Sequence, residues 1–268
     1  LQWDDVSLVL LNFQSLLMPP WYSLAFLVVA GFVAGFYGVN VGSSSLITIP
    51  ALIFTGMPTP LVIATNRFAI VWAELAGVIG FKKRVKFDLS FALLCGVVGA
   101  LGAYAGSRVV LVLNQQIVSI VIAVLLLAVA IFLLLRRDFG SGGSRIVSWK
   151  KVLVVLLMPF IGFYAGFFGT SHGTFTLMIL TAFGMGFFEG VAVIRVIGVM
   201  VAVTAALSFL QAGAIQWPQA IALSIGVLAG STMGVRYSIR RGVGVIRILL
   251  IVVAIASSLK LLWGVVHP

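Results

Sequence analysis

Apolar runs long enough to cross a bilayer recur from Trp21 to Trp263, separated by short polar punctuation. A spanning helix needs roughly 20 apolar residues at 1.5 Å rise each. On that measure the chain reads as two sets of five elements. The first set falls near 21–38, 43–56, 60–81, 88–109 and 116–135, the second near 151–168, 173–185, 190–211, 217–235 and 244–264. In each set the second element is short and follows a glycine-rich interruption. The pattern predicts an all-α polytopic membrane protein with about eight full transmembrane helices and two short broken or re-entrant ones. Residues 6–18 read as amphipathic, and Pro19-Pro20-Trp21-Tyr22 marks a membrane entry, since proline punctuates helices and Trp and Tyr favour the headgroup level. The predicted organisation is an N-terminal interfacial segment over 1–20, a first transmembrane repeat over 21–135, a linker over 136–150 and a second repeat over 151–268.

The halves are related by sequence. "GFVAGFYGVNVG" (Gly31 to Gly42) returns as "GFYAGFFGTSHG" (Gly162 to Gly173) at an offset of 131, with four glycines, two phenylalanines and the intervening alanine in register. Further on the offset becomes 128, pairing Arg67 with Arg195, and Gly102 and Gly106 with Gly230 and Gly234. The chain is a duplicated half joined through "RRDFGSGGSR" at 136–145.

Loop charge orients the halves. If the short pieces cross the membrane, each half crosses an odd number of times and the halves are inverted. Three loops, 82–88, 136–151 and 236–247, then share one side and hold 13 of the 17 Lys and Arg residues. "MPTPL", "NQQ" and "QAGAIQWPQ" on the other side hold none. If the short pieces instead dip in and return, the last basic loop lies opposite the other two, against the positive-inside rule. The charges therefore predict an inverted repeat with basic loops cytoplasmic and both termini outside.

Composition agrees: 62% of residues are hydrophobic and 9% charged. The formal charge of +11 would suggest nucleic acid for a soluble protein, but here it belongs to the loops, so the expected surroundings are the lipid bilayer and not a nucleic acid. The single cysteine, Cys95, allows no intrachain disulfide and reads as packing. The opening residues lack a basic n-region and a small-residue cleavage site, so no cleavable signal peptide is expected.

Irregular backbone within a bilayer is tolerated where protein or a watery cavity satisfies it. The break after Gly42 would leave half-helix N–H groups for Ser43, Ser44 and Ser45 to cap, or for an anion to meet at the positive helix end. The second copy offers Thr170, Ser171, His172 and Thr174 in the matching place. Gly38, Gly42, Gly169 and Gly173 shape the breaks, whereas Gly31, Gly35, Gly102, Gly106, Gly230 and Gly234 read as close helix packing.

Charges inside the spans add a second layer. Arg67 in "ATNRF", beside Asn66, and Arg195 in "VIRVI" have no acidic neighbour in sequence. Each either meets an anionic substrate or snorkels to the interface. Glu74, seven residues beyond Arg67 on the same helix face, and His172 are proton-coupling candidates, with packing an equal alternative for Glu74. Asp88 and Glu189 read as helix N-terminal acids. No HExxH, paired cysteines, Asp-rich metal motif or nucleotide-binding loop occurs, so neither an enzyme nor a cofactor or metal is expected.

On "GFVAGFYGVNVG" with its serines and "IPAL", on "PTPLVIATNRF", on "RVKFD" before Gly99, Gly102 and Gly106, and on the second glycine repeat, the chain to about residue 263 resembles the sulfite exporter TauE/SafE family. It departs in having "GVNVGSSS" instead of consecutive glycines, and in His172. The resemblance implies transport of sulfite, sulfoacetate or related sulfonates across the bacterial inner membrane, driven by an ion gradient. The residues alone reach an anion transporter with Ser43, Ser44, Asn66, Arg67, Ser171, His172 and Arg195 around the substrate. A passive anion channel and a carrier of non-sulfur carboxylates are the alternatives, and a homo-oligomer stays open.

Overall fold

The computed structural model describes residues 20–41, 44–114, 116–118, 120–121, 124, 148–169 and 172–241. Its bounded elements are eight helices: α1 (Pro20–Val41), α2 (Ser45–Phe54), α3 (Thr59–Lys82), α4 (Leu89–Val112), α5 (Ser148–Phe168), α6 (His172–Ala182), α7 (Phe187–Gln211) and α8 (Trp217–Arg241). Six of them, all but α2 and α6, are long and apolar enough to cross a membrane. This is a multi-pass membrane protein. The expected helices at 116–135 and 244–264, the segment 1–20 and most of the linker lie wholly or largely outside the described residues.

The short helices end where expected. Gly56 and Gly184, 128 residues apart, adopt φ of 83° and 105° just after α2 and α6, a left-handed conformation that costs glycine nothing. Pro60 then sits in the first turn of α3, where its missing N–H is no loss. At the other end of the loop that follows α3, Asp88 caps α4 by accepting a hydrogen bond from the Phe91 N–H, and Glu189 lies in the first turn of α7. Cys95 is buried in α4.

The repeated glycines are where helices touch backbone to backbone. A Cβ on Gly226, Gly230 or Gly234 of α8 would collide with the carbonyls of Val28, Phe32 and Phe36 of α1. A Cβ on Gly102 or Gly106 of α4 would strike those of Pro159 and Phe163 of α5. Gly31 and Gly35 press on α8 in return, as Gly162 and Gly166 press on α4. Small residues let membrane helices approach this closely and gain dispersion contacts. The contact order rises on both helices together, so α1 runs parallel to α8, and α4 parallel to α5. Phe68 meets Trp217, and Gly80 meets Val235, which makes α3 parallel to α8. Because α4 returns from α3 through a short loop, the α4–α5 seam runs opposite to the α1–α8 seam.

Polar contacts gather the loops at two ends. Met57, Thr65 and Gln216 are linked by hydrogen bonds, and Arg108 donates to Gln211. At the other end Lys151 bridges to Asp88, Lys150 lies over the Phe183 ring, and Lys83, Arg84 and Arg236 line one groove. α6 therefore folds back from the tip of α5 to the basic end, and α2 ends among the uncharged loops. α3 and α7 are the most enclosed spans, while large apolar side chains such as Leu101, Val112 and Phe160 stay exposed on the outer surface, as lipid-facing positions do.

Candidate functional site

Ser45 and Gly169, which flank the two breaks, both meet Asn66 of α3 in the enclosed centre, where Arg67 is 0% and Arg195 of α7 1% exposed. Neither snorkels, so that reading of the arginines is overturned: each helix carries its cation about two turns inside its N-terminal end, buried against neighbouring helices. Arg67 donates through Nη2 to the Ala165 carbonyl in the last turn of α5. That carbonyl belongs to the negative end of a helix dipole, which partly compensates the buried charge. Nε and Nη1 of Arg67 have no hydrogen-bond partner among the described residues.

Arg195 has found the acid that its sequence neighbours lack. Its Nη1 lies 2.8 Å from Glu74 Oε2, with both side chains buried. The pair fits because glycines face it: a Cβ at Gly77 would strike the Arg195 stem, and one at Gly198 the Glu74 carboxyl. Glu74 also lies within electrostatic reach of Arg67. Together the three leave one net positive charge. Glu74 follows Arg67 by seven residues, about 10 Å along α3, so the two guanidinium groups sit at different depths. His172, the first residue of α6, is within electrostatic reach of both, is buried, and bonds no described residue through its ring nitrogens.

Asn66 is a brace between the breaks. Its Nδ2 donates to Ser45 Oγ at 3.1 Å and to the Gly169 carbonyl at 3.3 Å, and its Oδ1 accepts from Thr48 Oγ1 at 2.5 Å. Gly169 turns the chain at φ 83° and aims that carbonyl. Ser44 precedes α2 but its hydroxyl caps no N–H. Instead its carbonyl takes the N–H groups of Ile47 and Thr48, and its body packs on Gly38, where a Cβ would not fit. Gly173 is buried in α6. Gly42, Ser43, Thr170 and Ser171 lie outside the described residues.

Thr48, Tyr164 and the carbonyls of Ala165 and Gly169 are centre residues that sequence reading missed as site members. Tyr164 is within electrostatic reach of Arg67, its buried hydroxyl bonded to none of the described residues. Thr48 carried one signal: it sits one turn beyond Ser44 and Ser45 on the short helix. The backbone carbonyls carried none.

The family model for the sulfite exporter TauE/SafE family matches residues 27–261. A probable membrane transporter protein from Sinorhizobium sp is 29% identical over 92% of this chain and 95% of its own length. One from Haemophilus influenzae is 26% identical over 90% and 94%, and one from Escherichia coli 25% over 94% of each. No solved structure matches the chain.

Proposed function

The chain belongs to the sulfite exporter TauE/SafE family of membrane transporters, and on that premise we propose that it is a proton-coupled secondary transporter of small sulfur oxyanions or organosulfur anions, such as sulfite or sulfoacetate, across the bacterial inner membrane. The observation that carries the anion is Arg67: fully buried, joined to one backbone carbonyl, with two nitrogens open and no carboxylate bonded to it among the described residues. Guanidinium N–H groups suit the oxygens of sulfonate or carboxylate. The anion sits at Arg67 with His172, and with Ser44, Ser43 and Ser171 from the breaks, while Asn66 holds the two breaks in register.

Arg195 is the second station. A proton on Glu74 would release its guanidinium and raise the net charge of the site, so proton and anion favour each other's binding. The duplicated sequence, the two oppositely directed parallel seams and the gathering of basic loops at one end support an inverted repeat, 21–135 against 151–268, with that end cytoplasmic. Rocking of the two seams about the breaks would alternate access.

Proteoliposomes test the reading. Uptake of sulfite or sulfoacetate that saturates and accumulates under an imposed proton gradient is expected, and flux that only equilibrates would make the protein a channel. In thermal-shift binding, Arg67→Ala should weaken the anion by about 30-fold or more, the usual cost of removing one partner of a buried charge pair. Wild-type affinity in that variant would refute the site. Glu74→Gln should still bind the anion but no longer accumulate it.

A further inference from the structure

At the basic end, α3 and α8 flank a groove of about 470 Å³. Its walls are apolar and face outward: Trp72 and Ile79 of α3 and Leu228 of α8 are all exposed. Its floor is the contact of Gly80 with Val235, where a side chain on the glycine would meet the valine. Its mouth carries Lys83, Arg84 and Arg236, none of which pairs with an acid among the described residues. From Trp72 to Lys83 the groove follows eleven residues of α3, about 16 Å at 1.5 Å each, or half of a hydrocarbon core of about 30 Å.

We propose that this groove binds one anionic phospholipid of the adjoining leaflet, an acyl chain along the wall and the phosphate among Lys83, Arg84 and Arg236. The length fits one leaflet, and the charge asks for an anion that the described residues do not provide. Of the three acids among them, Glu74 holds Arg195, Asp88 holds Lys151 and Glu189 opens α7. A second copy is a poor occupant. A two-fold axis along the membrane normal would set the same three cations against each other at one depth.

The full-length protein in detergent is titrated with phosphatidylglycerol or phosphatidylcholine of equal chain length, and bound lipid is counted by native mass spectrometry. A basic residue near an anionic surface contributes about fivefold in affinity, so three should favour phosphatidylglycerol by on the order of a hundredfold. Lys83→Gln/Arg84→Gln/Arg236→Gln should bring the ratio close to one, while Lys150→Gln/Lys151→Gln, at the same end, should keep it. Ile79→Trp, which fills the groove and leaves every charge, should lose phosphatidylglycerol retention too and serves if the triple variant does not fold. Equal retention of both lipids by the wild type, an undiminished preference in either groove variant, or disulfide dimers through Ile79→Cys would overturn the assignment.

Discussion

Arg67 and Arg195 occupy the same place in two copies of one half, yet the fold settles them differently. Arg195 is held by Glu74, a carboxylate 121 residues earlier; Arg67 rests on the Ala165 carbonyl at a helix end. The reason lies in the repeat itself. At the offset of 128, Glu74 corresponds to Ala202, Gly77 to Ala205 and Gly198 to Ile70. The acid and Gly77 occur in the first half alone and Gly198 in the second alone, and together they make room for one ion pair. The repeat supplies two cations, one paired with a carboxylate and the other with no carboxylate partner among the described residues.

The largest effect should come from dismantling the neutralised side. Glu74→Ala or Arg195→Ala each leaves a buried charge unpaired and should lower stability by about 3–5 kcal/mol. The double variant should recover much of that loss, measured by thermal denaturation in detergent; additive losses would mean that the pair does not act as one. Arg67→Ala removes a cation with no carboxylate partner among the described residues and should change stability by about 1.5–3 kcal/mol, the value of one hydrogen bond to a charged group, while ligand binding collapses. Ala202→Glu would give Arg67 the partner that its counterpart has. The anion should lose about tenfold or more in affinity to this internal competitor, whereas Ala202→Gln, equally crowded at a cost of about 1–3 kcal/mol, should lose much less.

The smallest effect belongs to the surface counterpart of the buried pair. The Lys151 ammonium, 2.6 Å away, holds the Asp88 carboxyl below its usual range, with help from the Phe91 N–H. Both side chains are over a third exposed, so Asp88→Asn should cost at most about 1 kcal/mol. Because folding depresses the carboxyl, its contribution is complete above the unfolded value of about pH 4 and fades as pH falls through the folded one. The variant and the wild type should therefore converge in acid, as pH-dependent melting can show.

Much of this was legible in the chain. Apolar run length and glycine punctuation place the described helices within a few residues, except that α8 continues to Arg241, because polar residues that end an apolar run need not end a helix. The glycines marked for close packing are the ones whose absent side chains let α1 meet α8 and α4 meet α5. Arg67, Glu74, His172 and Arg195 could be picked out because charge is costly in a membrane. Their partners could not. Which helix faces meet is a property of packing between the halves, so the Glu74–Arg195 pair and the two backbone carbonyls had no local signature. Asn66 looked like a ligand-binding amide for the same reason, since the serine, threonine and glycine that absorb its bonds lie 18 to 103 residues away.

The parallel seams also set a timetable for biosynthesis. Gly31 and Gly35 find their surface on α8, whose Gly226 and Gly230 lie roughly 200 residues later in the chain. At ~5–20 residues per second that is on the order of 10–40 s. Throughout it the first helix waits in the lipid with its backbone-baring stripe uncovered. A ribosome that stalls after the first half leaves α4 without α5 and α1 without α8: two unmatched adhesive faces, and a nascent chain that must be shielded from its neighbours.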